Sequence, residues 1–262
     1  MRISFITVGM NHLKFIRKLY QTLLKEHRPD MDFECIYIDN CSVDGSQEWL
    51  KNTYPEVRII QNTKPEGFGA NNNKGVSYAK GEYIAIINPD IEFFDNAIDK
   101  LVAWMNNNTG KFGIVAPKLL NPDLTVQYSA RRFMTAKTFF YRLLSKGNDS
   151  SQNNEIGDYL CKNLDINKIQ QVNWVMGAAM FLPRDFYNEL NGFDEDYFLY
   201  MEDEDMCIRS WKAGKPVVFA GNIAVVHNHL RASRKMGKKM LYHFKSLATF
   251  YWKHGLNVKN YV

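Results

Sequence analysis

Four consecutive acidic residues, Glu202 to Asp205, follow an apolar run in the segment FLYMEDEDMCIRSWKAG, which spans Phe198 to Gly214. Adjacent carboxylates repel one another, and a run of like charge is ordinarily the solvated face of a helix. On that interpretation Asp205 pairs with Arg209 one helical turn later, and Glu204 faces water. Whether the run also has a catalytic role depends on the other polar positions in the sequence.

A second acidic position lies in INPDIEF, where Asp90 follows a strongly apolar segment and Pro89. Proline cannot continue a strand's hydrogen bonding, so Asp90 is presented on a stiff turn at the edge of a sheet. One carboxylate there can hold Mg²⁺ or Mn²⁺ together with substrate phosphates. The alternative is an aspartate that only caps the following helix, and the N-P-D spacing does not separate the two.

The segment IDNCSVDGS places Asp39 and Asn40 at the end of another apolar run. Asp39 is positioned to accept a hydrogen bond from a ligand, such as the ring NH of a pyrimidine. Asp44, by contrast, begins a D-G-S sequence that is typical of a turn and a helix N-cap.

A glycine-bearing loop, KPEGFGANNNKG, leads into a helical pattern, where backbone NH groups could face a diphosphate. The sequence contains neither G-x-G-x-x-G after its first strand nor G-x-x-x-x-G-K-[ST] anywhere. It therefore lacks the fingerprints of a Rossmann dinucleotide site and of a P-loop.

These positions belong to an alternation of strands and helices. Apolar β-rich runs at 3–8, 33–39, 57–62 and 82–88 are separated by helical patterns that begin near Leu13, Asp44 and Asn73. The alternation predicts an α/β fold with a mainly parallel sheet whose strands are buried on both faces. Ligands bind such sheets at the carboxyl ends of the strands, where Thr7, Asp39, Asn62 and Asn88 lie.

The second half of the chain is less regular. Residues 121–172 are polar without a clear period, and we interpret them as a variable excursion or lid. A buried strand is expected over 173–183, and another, over 215–229, closes the sheet. The four cysteines form no C-x-x-C pair, which favours a cytoplasmic protein without disulfides.

The 262 residues, 45% of them hydrophobic, can form one large core or two small ones. The net charge of +5 is uneven, because residues 231–262 contain eight Lys and Arg and no acidic residue. A basic tail on a nearly neutral body indicates docking more than a nucleic-acid-binding domain. No window is as long and apolar as a membrane span, and the N-terminus does not look like a signal peptide.

Taken in order, five segments closely resemble family 2 glycosyltransferases, in particular a bacterial rhamnosyltransferase-like branch: ISFITVGMNH, IDNCSVDGSQEWL, NTKPEGFGANNNKGVSYAKGEYIAIINPDIEF, WVMGAAMFLPRDFYNELNGFDEDYFLYMEDEDMCIRSWKAG and AVVHNH. The resemblance covers residues 1–230. It implies a GT-A fold, a Rossmann-like sheet flanked by helices, with a nucleotide-sugar half at 1–92 and an acceptor half at 93–230. Residues 231–262 are then a separate basic, aromatic tail.

The resemblance also implies roles at the strand ends. NPD occupies the family's metal-binding D-x-D position, with Asn88 in place of the first aspartate and Asp90 as the remaining ligand of Mg²⁺ or Mn²⁺. Asp39 matches the family residue that meets the nucleobase, with Asn40 after it and Thr7 beside it. Asn72 and Asn73 match positions near the nucleotide, although many members carry arginine where Asn72 stands.

For the acidic run, the resemblance implies that Glu202 and Asp203 form the family's E-D element, which removes a proton from the acceptor hydroxyl in an inverting transfer. We predict Asp203 as the base and Glu202 as its neighbour or an acceptor-orienting group. Crowding by like charges would raise the proton affinity of the base. His227 and His229 lie at strand spacing in a His-rich segment, and His229 either touches metal or phosphate or is structural.

The sequence thus predicts a metal-dependent inverting glycosyltransferase that uses a dTDP-rhamnose or UDP-sugar donor and a growing, lipid-linked surface glycan as acceptor. Two alternatives remain: an inactive sugar- or nucleotide-binding scaffold on the same fold, and a metal-dependent nucleotidyltransferase. The tail has three interpretations, namely a helix that covers the core, peripheral contact with the inner face of the cytoplasmic membrane, and a nucleic-acid patch, which we expect least.

Overall fold

The computed structural model describes residues 2–228 and 238–262. The first half is the expected alternation, and its elements are β1 (Ile3–Gly9), α1 (Leu13–Gln21) with a π-helical turn (Thr22–Glu26), β2 (Phe33–Asp39), α2 (Ser46–Thr53), β3 (Arg58–Gln61), α3 (Phe68–Ser77) and β4 (Tyr83–Ile87). The three helical patterns and four strands were therefore predicted correctly. Helix α3 begins five residues earlier than expected, at the end of the glycine loop.

The second half contains shorter elements, which are β5 (Ile91–Glu92), α4 (Ala97–Asn107), β6 (Ile114–Leu120), β7 (Ala130–Arg131), α5 (Ala136–Leu144), α6 (Asn154–Tyr159), β8 (Ile169–Gln171), β9 (Trp174–Val175), β10 (Ala179–Pro183), α7 (Arg184–Glu189), α8 (Glu202–Lys212), β11 (Val217–His227) and α9 (Lys238–His254). The strand expected over 173–183 is two strands in two different sheets. The polar excursion contains two helices, α5 and α6, whose N-caps Thr135 and Asn153 accept hydrogen bonds from the first turn.

The main sheet has the order β3-β2-β1-β4-β10-β6-β11-β5, with β8 also paired to β11. Strands β3, β2, β1 and β4 are parallel neighbours, whereas β10 is antiparallel to both β4 and β6. A small second sheet pairs β7 with β9. The α/β prediction is confirmed: β6 and β11 are also parallel, and antiparallel pairing enters at β10, β5 and β8.

The sheet is buried on both faces. One face contributes Phe5 and Tyr37 to a core with α1 and α4, and the other contributes Ile6 and Ile38 to a core with α3 and α8. Such double burial explains why β1, β2 and β4 are continuous apolar runs. All four cysteines are free thiols, and no helix within the described residues is long and apolar enough to cross a membrane.

Candidate active site

The carboxyl ends of β1 and β2 meet where Gly9 pairs with Asp39. The Asp39 side chain is fully buried, and its Oδ2 accepts hydrogen bonds from the Ser42 backbone NH at 3.0 Å and from Gln47 Nε2 at 2.8 Å. Its Oδ1 has no hydrogen-bond partner among the described residues. A buried carboxylate oxygen without a donor is costly, so this atom is a natural acceptor for a ligand NH.

Thr7 lies two residues before the end of β1, because this strand continues to Gly9. It is buried and pairs in register with Tyr37. The Tyr37 hydroxyl fills the space beside Gly9, since a Cβ added to Gly9 would lie 2.0 Å from it. Burial, followed by the nearby charge of Asp39, raises the pKa of Tyr37. The sequence analysis missed Tyr37, although its position two residues before Asp39 on β2 puts both side chains on the same face.

Three buried asparagines form an amide cluster at the ends of β2 and β3, which we define as Asn40, Asn62 and Asn71. Asn62 Nδ2 donates to Asn40 Oδ1 at 2.9 Å and to Asn71 Oδ1 at 2.6 Å. Asn40 Nδ2 and Asn71 Nδ2 both donate to the Glu66 carbonyl, and the Glu66 NH donates back to Asn40 Oδ1. The side chain of Asn40 therefore holds the loop after β3.

Asn72 and Asn73 lie on α3. Asn72 is buried, and its Nδ2 donates to the Phe68 carbonyl at 2.9 Å. Asn73 holds a distant loop instead, because its Nδ2 donates to the Phe193 carbonyl and its Oδ1 accepts from the Phe193 NH and the Tyr187 hydroxyl. Asn73 thus joins α3 to the segment that precedes the acidic run.

Beside this cluster lies a cavity of about 600 Å³, lined by Lys64, Pro65, Glu66, Gly67, Ala70, Lys74, Glu195 and Phe198. Lys74 Nζ donates to Asn62 Oδ1 at 2.6 Å, so one of the cavity's two cations is tied to the amide cluster. The backbone NH of Phe68 donates to the Phe198 carbonyl at 2.9 Å. Gly67 permits this approach, since a Cβ there would lie 2.7 Å from the same carbonyl oxygen.

The NPD turn lies between β4 and β5 and is held by backbone bonds on both sides. The Asn88 NH donates to the Ala178 carbonyl, and the Asn228 NH donates to the Asp90 carbonyl, each at 2.8 Å. The Asp90 side chain is 14% exposed, and its Oδ1 lies 3.5 Å from His227 Nε2 without a hydrogen-bond partner within the described part of the chain. Burial raises the pKa of Asp90 to about 6.

Asp90 fits a divalent cation through this oxygen, which accepts no hydrogen bond from the described residues and has His227 Nε2 3.5 Å away. Glu92, the next acidic residue, is already engaged, because its Oε1 accepts from Asn228 Nδ2 at 2.7 Å. Residues 2–228 and 238–262 contain no group of three or more His, Cys, Asp or Glu side chains able to hold a metal. A cation here would take one carboxylate and rely on substrate phosphates, as Mg²⁺ commonly does. His229, the other predicted ligand, lies outside the described residues.

The acidic run opens α8, and the backbone before it is strained. Tyr200 and Met201 both have a φ of 70°, which is the left-handed region that large side chains rarely adopt. Each such residue costs on the order of 1 kcal/mol and persists only where the surroundings enforce it. The strain fixes the direction in which Glu202 and Asp203 leave the helix start.

Asp203 Oδ2 accepts a hydrogen bond from the Gly177 NH at 2.8 Å, and its Oδ1 accepts from the Glu204 NH at 2.9 Å. Gly177 lets the two segments meet, since a Cβ there would lie 3.1 Å from the Asp203 Cβ. Burial raises the pKa of Asp203, although these NH groups and the charge of Arg131 oppose the shift. The carboxylate is oriented through both oxygens and kept basic.

Glu202 is 5% exposed, and its Oε2 has no hydrogen-bond partner among the residues described. Burial, and then the neighbouring charge of Asp203, raises its pKa well above the ordinary glutamate value. Crowding of like charges was expected to raise the pKa of the base, Asp203, but it acts on Glu202 instead, and burial is the larger cause there.

The prediction that Glu204 faces water is wrong. Its side chain is 1% exposed, and its carboxylate accepts a hydrogen bond from the Met134 NH, because this part of α8 packs under the excursion. Asp205 pairs with Arg209 Nε at 2.7 Å, as predicted, and also with His254 Nε2 at 2.8 Å. These two partners outweigh burial and lower the pKa of Asp205.

Two adjacent residues connect the NPD turn to the acidic run. Gly177 donates to Asp203, and Ala178 accepts from the Asn88 NH. The structure therefore holds Asn88, in the NPD turn, and Asp203 at the two ends of one short bridge between β9 and β10. The sequence analysis did not identify this bridge, because the glycine in WVMGAAMFLP was interpreted as part of a continuous strand.

The overall architecture is similar to solved glycosyltransferases. The mannosyltransferase PcManGT from Pyrobaculum calidifontis, solved with GDP-Man and Mn²⁺, matches with a TM-score of 0.63 and 14% identity over 99% of this chain and 65% of that chain. S. aureus TarS 1-349 with UDP matches with a TM-score of 0.60 and 15% identity over 86% of this chain and 60% of that chain. The chain therefore spans less than two thirds of either structure, and the likeness establishes the GT-A fold.

Curated relatives are similar in sequence as well. The N-acetylglucosaminyl-diphospho-decaprenol L-rhamnosyltransferase of Mycobacterium tuberculosis is 27% identical over 81% of this chain and 72% of its own length. Rhamnosyltransferase WbbL of Escherichia coli K12 is 26% identical over 93% of this chain and 90% of its own length. The sequence model of glycosyl transferase family 2 matches residues 4–163, more than half of the chain. The chain therefore belongs to glycosyl transferase family 2.

Proposed function

We propose that the protein is a metal-dependent, inverting glycosyltransferase that moves a sugar from a nucleotide-sugar donor to a growing, lipid-linked glycan. The observation that carries the proposal is the bridge at Gly177 and Ala178, which holds a donor-side turn and an oriented carboxylate together. A transferase needs both, because donor diphosphate and acceptor hydroxyl must meet in one cleft.

The donor side is assigned to the strand ends. The unpartnered Oδ1 of Asp39 accepts from the nucleobase edge, with Thr7 beneath it. Asn40 and Asn73 are assigned as positioning residues, since their amides already hold neighbouring loops. Asn72 and Asn88 remain candidates for direct contact with the nucleotide sugar.

Asp203 is assigned as the group that takes the proton from the acceptor hydroxyl. Its two backbone hydrogen bonds orient it, and its raised pKa strengthens it as a base. Glu202 lies beside it and orients the acceptor. Asp90 would hold Mg²⁺ or Mn²⁺, with His229 as a second candidate ligand, and the bound cation would stabilise the leaving diphosphate.

The donor and acceptor classes follow from the relatives. Two of them are named rhamnosyltransferases, and one of these names a diphospho-decaprenol acceptor, which supports rhamnose and a lipid-linked acceptor for this chain. We assign acceptor selection to the excursion 121–172, which packs against α8 through Met134 and Glu204. A cytoplasmic location follows from the use of a nucleotide-activated sugar.

The test is a thermal-shift panel of dTDP, UDP, GDP and CDP, each with and without Mn²⁺, on the wild type and three variants. Asp39→Asn should weaken stabilisation by the preferred nucleotide in both conditions, whereas Asp90→Asn should abolish only the Mn²⁺-dependent part. Asp185→Asn, at an exposed carboxylate on α7, is the matched control and should behave as the wild type.

A nucleotide that stabilises the protein equally in all variants would contradict the assigned site, and no stabilisation by any nucleotide would favour the inactive scaffold. The products separate the remaining alternative. A nucleotidyltransferase releases pyrophosphate from a nucleoside triphosphate, whereas the proposed enzyme releases a nucleoside diphosphate.

A further inference from the structure

The C-terminal helix α9 carries apolar side chains on two opposite faces. Leu247 and Phe250 are buried against the domain, which confirms that the helix covers the core. On the other side, Leu241, Phe244 and Trp252 point to solvent, with exposed fractions of 68%, 45% and 82%. Their spacing of three and eight residues places them on one side of the helix. Packing on the domain explains only the buried face.

Helix α5 also carries apolar side chains that are exposed to solvent. Phe140, Leu143 and Leu144 recur at helical spacing and are each more than half exposed, whereas the buried residue of this helix is Thr138. An amphipathic helix normally turns its apolar face inward. This helix packs Phe139 and Tyr141 against the core but leaves Phe140, Leu143 and Leu144 exposed to solvent.

The two exposed rows are neighbours. The Phe139 and Phe244 rings contact each other edge to face, with centroids 6.3 Å apart, and the Ala136 NH donates to the Leu256 carbonyl at 2.9 Å. We call this surface the α5–α9 face and define it by its exposed members, which are Phe140, Leu143, Leu144, Leu241, Phe244, Trp252 and Leu256. Seven exposed apolar side chains on two neighbouring segments indicate an interaction site.

Basic side chains lie on both segments of the α5–α9 face, although Lys253 of α9 is paired with Asp194 and Asp196. Exposed Lys146 and Lys245 belong to its two segments, and neither 136–147 nor 238–262 contains an acidic residue. Lys137 and Arg142 of α5 are paired with Glu155 and Asp149, which lie outside both segments. An apolar helical face with basic residues beside it is the signature of binding to an anionic lipid surface.

The α5–α9 face lies on the opposite side of α9 from the segment that precedes the acidic run. The inner side of α9 holds the segment before Glu202, because Tyr242 stacks on Phe198 at 4.3 Å and Ser246 Oγ donates to the Leu199 carbonyl at 2.9 Å. A surface docked on the outer side would lie about one helix diameter, roughly 10 Å, from that segment.

We propose that the α5–α9 face docks on the surface of an anionic lipid bilayer, with both helices lying in the interface. The docking does not depend on catalysis. Its consequence, that a lipid-linked acceptor reaches Asp203 from the membrane side, rests on the proposed function.

The experiment is co-sedimentation of the full chain with vesicles of phosphatidylcholine alone or mixed with phosphatidylglycerol, at low and high salt. The wild type should bind the mixed vesicles and lose binding in high salt. Leu143→Ser/Leu144→Ser and Leu241→Ser/Trp252→Ser should each weaken binding by about tenfold or more, because interfacial affinity scales with the apolar area inserted. The control, Val43→Ser/Leu124→Ser, removes two exposed apolar side chains elsewhere and should bind as the wild type.

Absence of binding to the mixed vesicles, or equal binding by all variants, would overturn the proposal. Sedimentation velocity tests whether a second copy of the chain occupies the face instead. A wild-type dimer that both double variants dissociate, together with no vesicle binding, would assign the face to that second copy. Vesicle binding needs no nucleotide, so failure of the transferase assignment would leave this result unchanged. Far-UV circular dichroism would confirm that each variant is folded.

Discussion

The amide cluster and the acidic run are both polar, both largely buried and both close to the candidate cleft, yet their hydrogen bonding differs. In the amide cluster, Asn40, Asn62 and Asn71 bond to one another and to the Glu66 backbone. In the acidic run, Glu202 keeps a buried oxygen without a partner within the described residues, and Asp203 is bonded only by backbone NH groups.

The difference separates residues that hold the site from residues available for chemistry. A satisfied side chain has no free hydrogen-bonding capacity for a ligand, and removing it mainly costs stability. A buried carboxylate without hydrogen-bond donors lowers the stability of the folded protein. Binding a proton or a substrate donor relieves that cost. The acidic run contains both kinds, because Asp205 is paired on both oxygens while Glu202 is not.

The largest stability effect is expected at the paired end of the acidic run. Asp205→Asn should lower the free energy of unfolding by about 3–5 kcal/mol, because Arg209 and His254 lose a buried partner. Urea denaturation measures the loss. The matched control is Asp196→Asn, whose carboxylate is 68% exposed and whose partner Lys253 also pairs with Asp194, so the change should cost less than about 1 kcal/mol.

The pH dependence of this loss has a defined sign. The pKa of Asp205 is lowered in the folded state, so its contribution is present above the ordinary aspartate pKa of about 3.9 and disappears as pH falls through the folded value. The gap between wild type and Asp205→Asn should therefore close in acid. A gap that stays constant down to acid denaturation would contradict the ion-pair account.

A smaller loss is expected in the amide cluster. Asn62→Ala removes the donor to two buried oxygens and the acceptor of Lys74, and we expect a loss of about 2 kcal/mol in the free energy of unfolding. Chemical denaturation checks it, and Asn222→Ala, at an exposed asparagine of β11, is the control. An unchanged midpoint would show that the cluster does not hold the loop.

The smallest effect should have the opposite sign. Glu202→Gln should raise the free energy of unfolding at neutral pH by on the order of 1 kcal/mol, since it removes a buried charge whose Oε2 is unpartnered. Because the folded pKa is raised, the folded state binds more protons above the ordinary glutamate pKa, and wild-type stability falls as pH rises there. The gain should shrink on acidification, and Glu189→Gln, on the surface of α7, should show neither effect.

The sequence predicts the first half of the fold well because β1, β2 and β4 are continuous apolar runs buried on both faces, while the edge strand β3 is only partly buried. It fails at 173–183, where Gly177 and Ala178 interrupt an apolar run and send its two parts into different sheets. It also fails at α5, where Phe140, Leu143 and Leu144 are exposed although Phe139 and Tyr141 of the same helix pack on the core.

The sequence places Asp39 at the end of β2 and Asp90 in the turn after β4, as the structure has them, because apolar runs mark where these strands end. What cannot be predicted is which polar atoms the fold satisfies. Asn40 and Asn73 look as available in sequence as Asn88, and only long-range contacts such as that between Asn73 and Phe193 distinguish them. Glu204 was assigned to solvent for the same reason, since its partner Met134 is seventy residues away.

The most direct test is sugar transfer by Asp203→Asn, measured as radiolabel moved from the nucleotide sugar to a membrane-lipid acceptor, with nucleotide affinity measured in parallel by calorimetry. The account predicts that kcat falls by about 10²–10⁴-fold, the usual contribution of a general base, while nucleotide affinity is unchanged. Transfer at the wild-type rate would contradict the assignment of Asp203 as the base. Loss of nucleotide binding together with transfer would show that Asp203 supports the donor site instead.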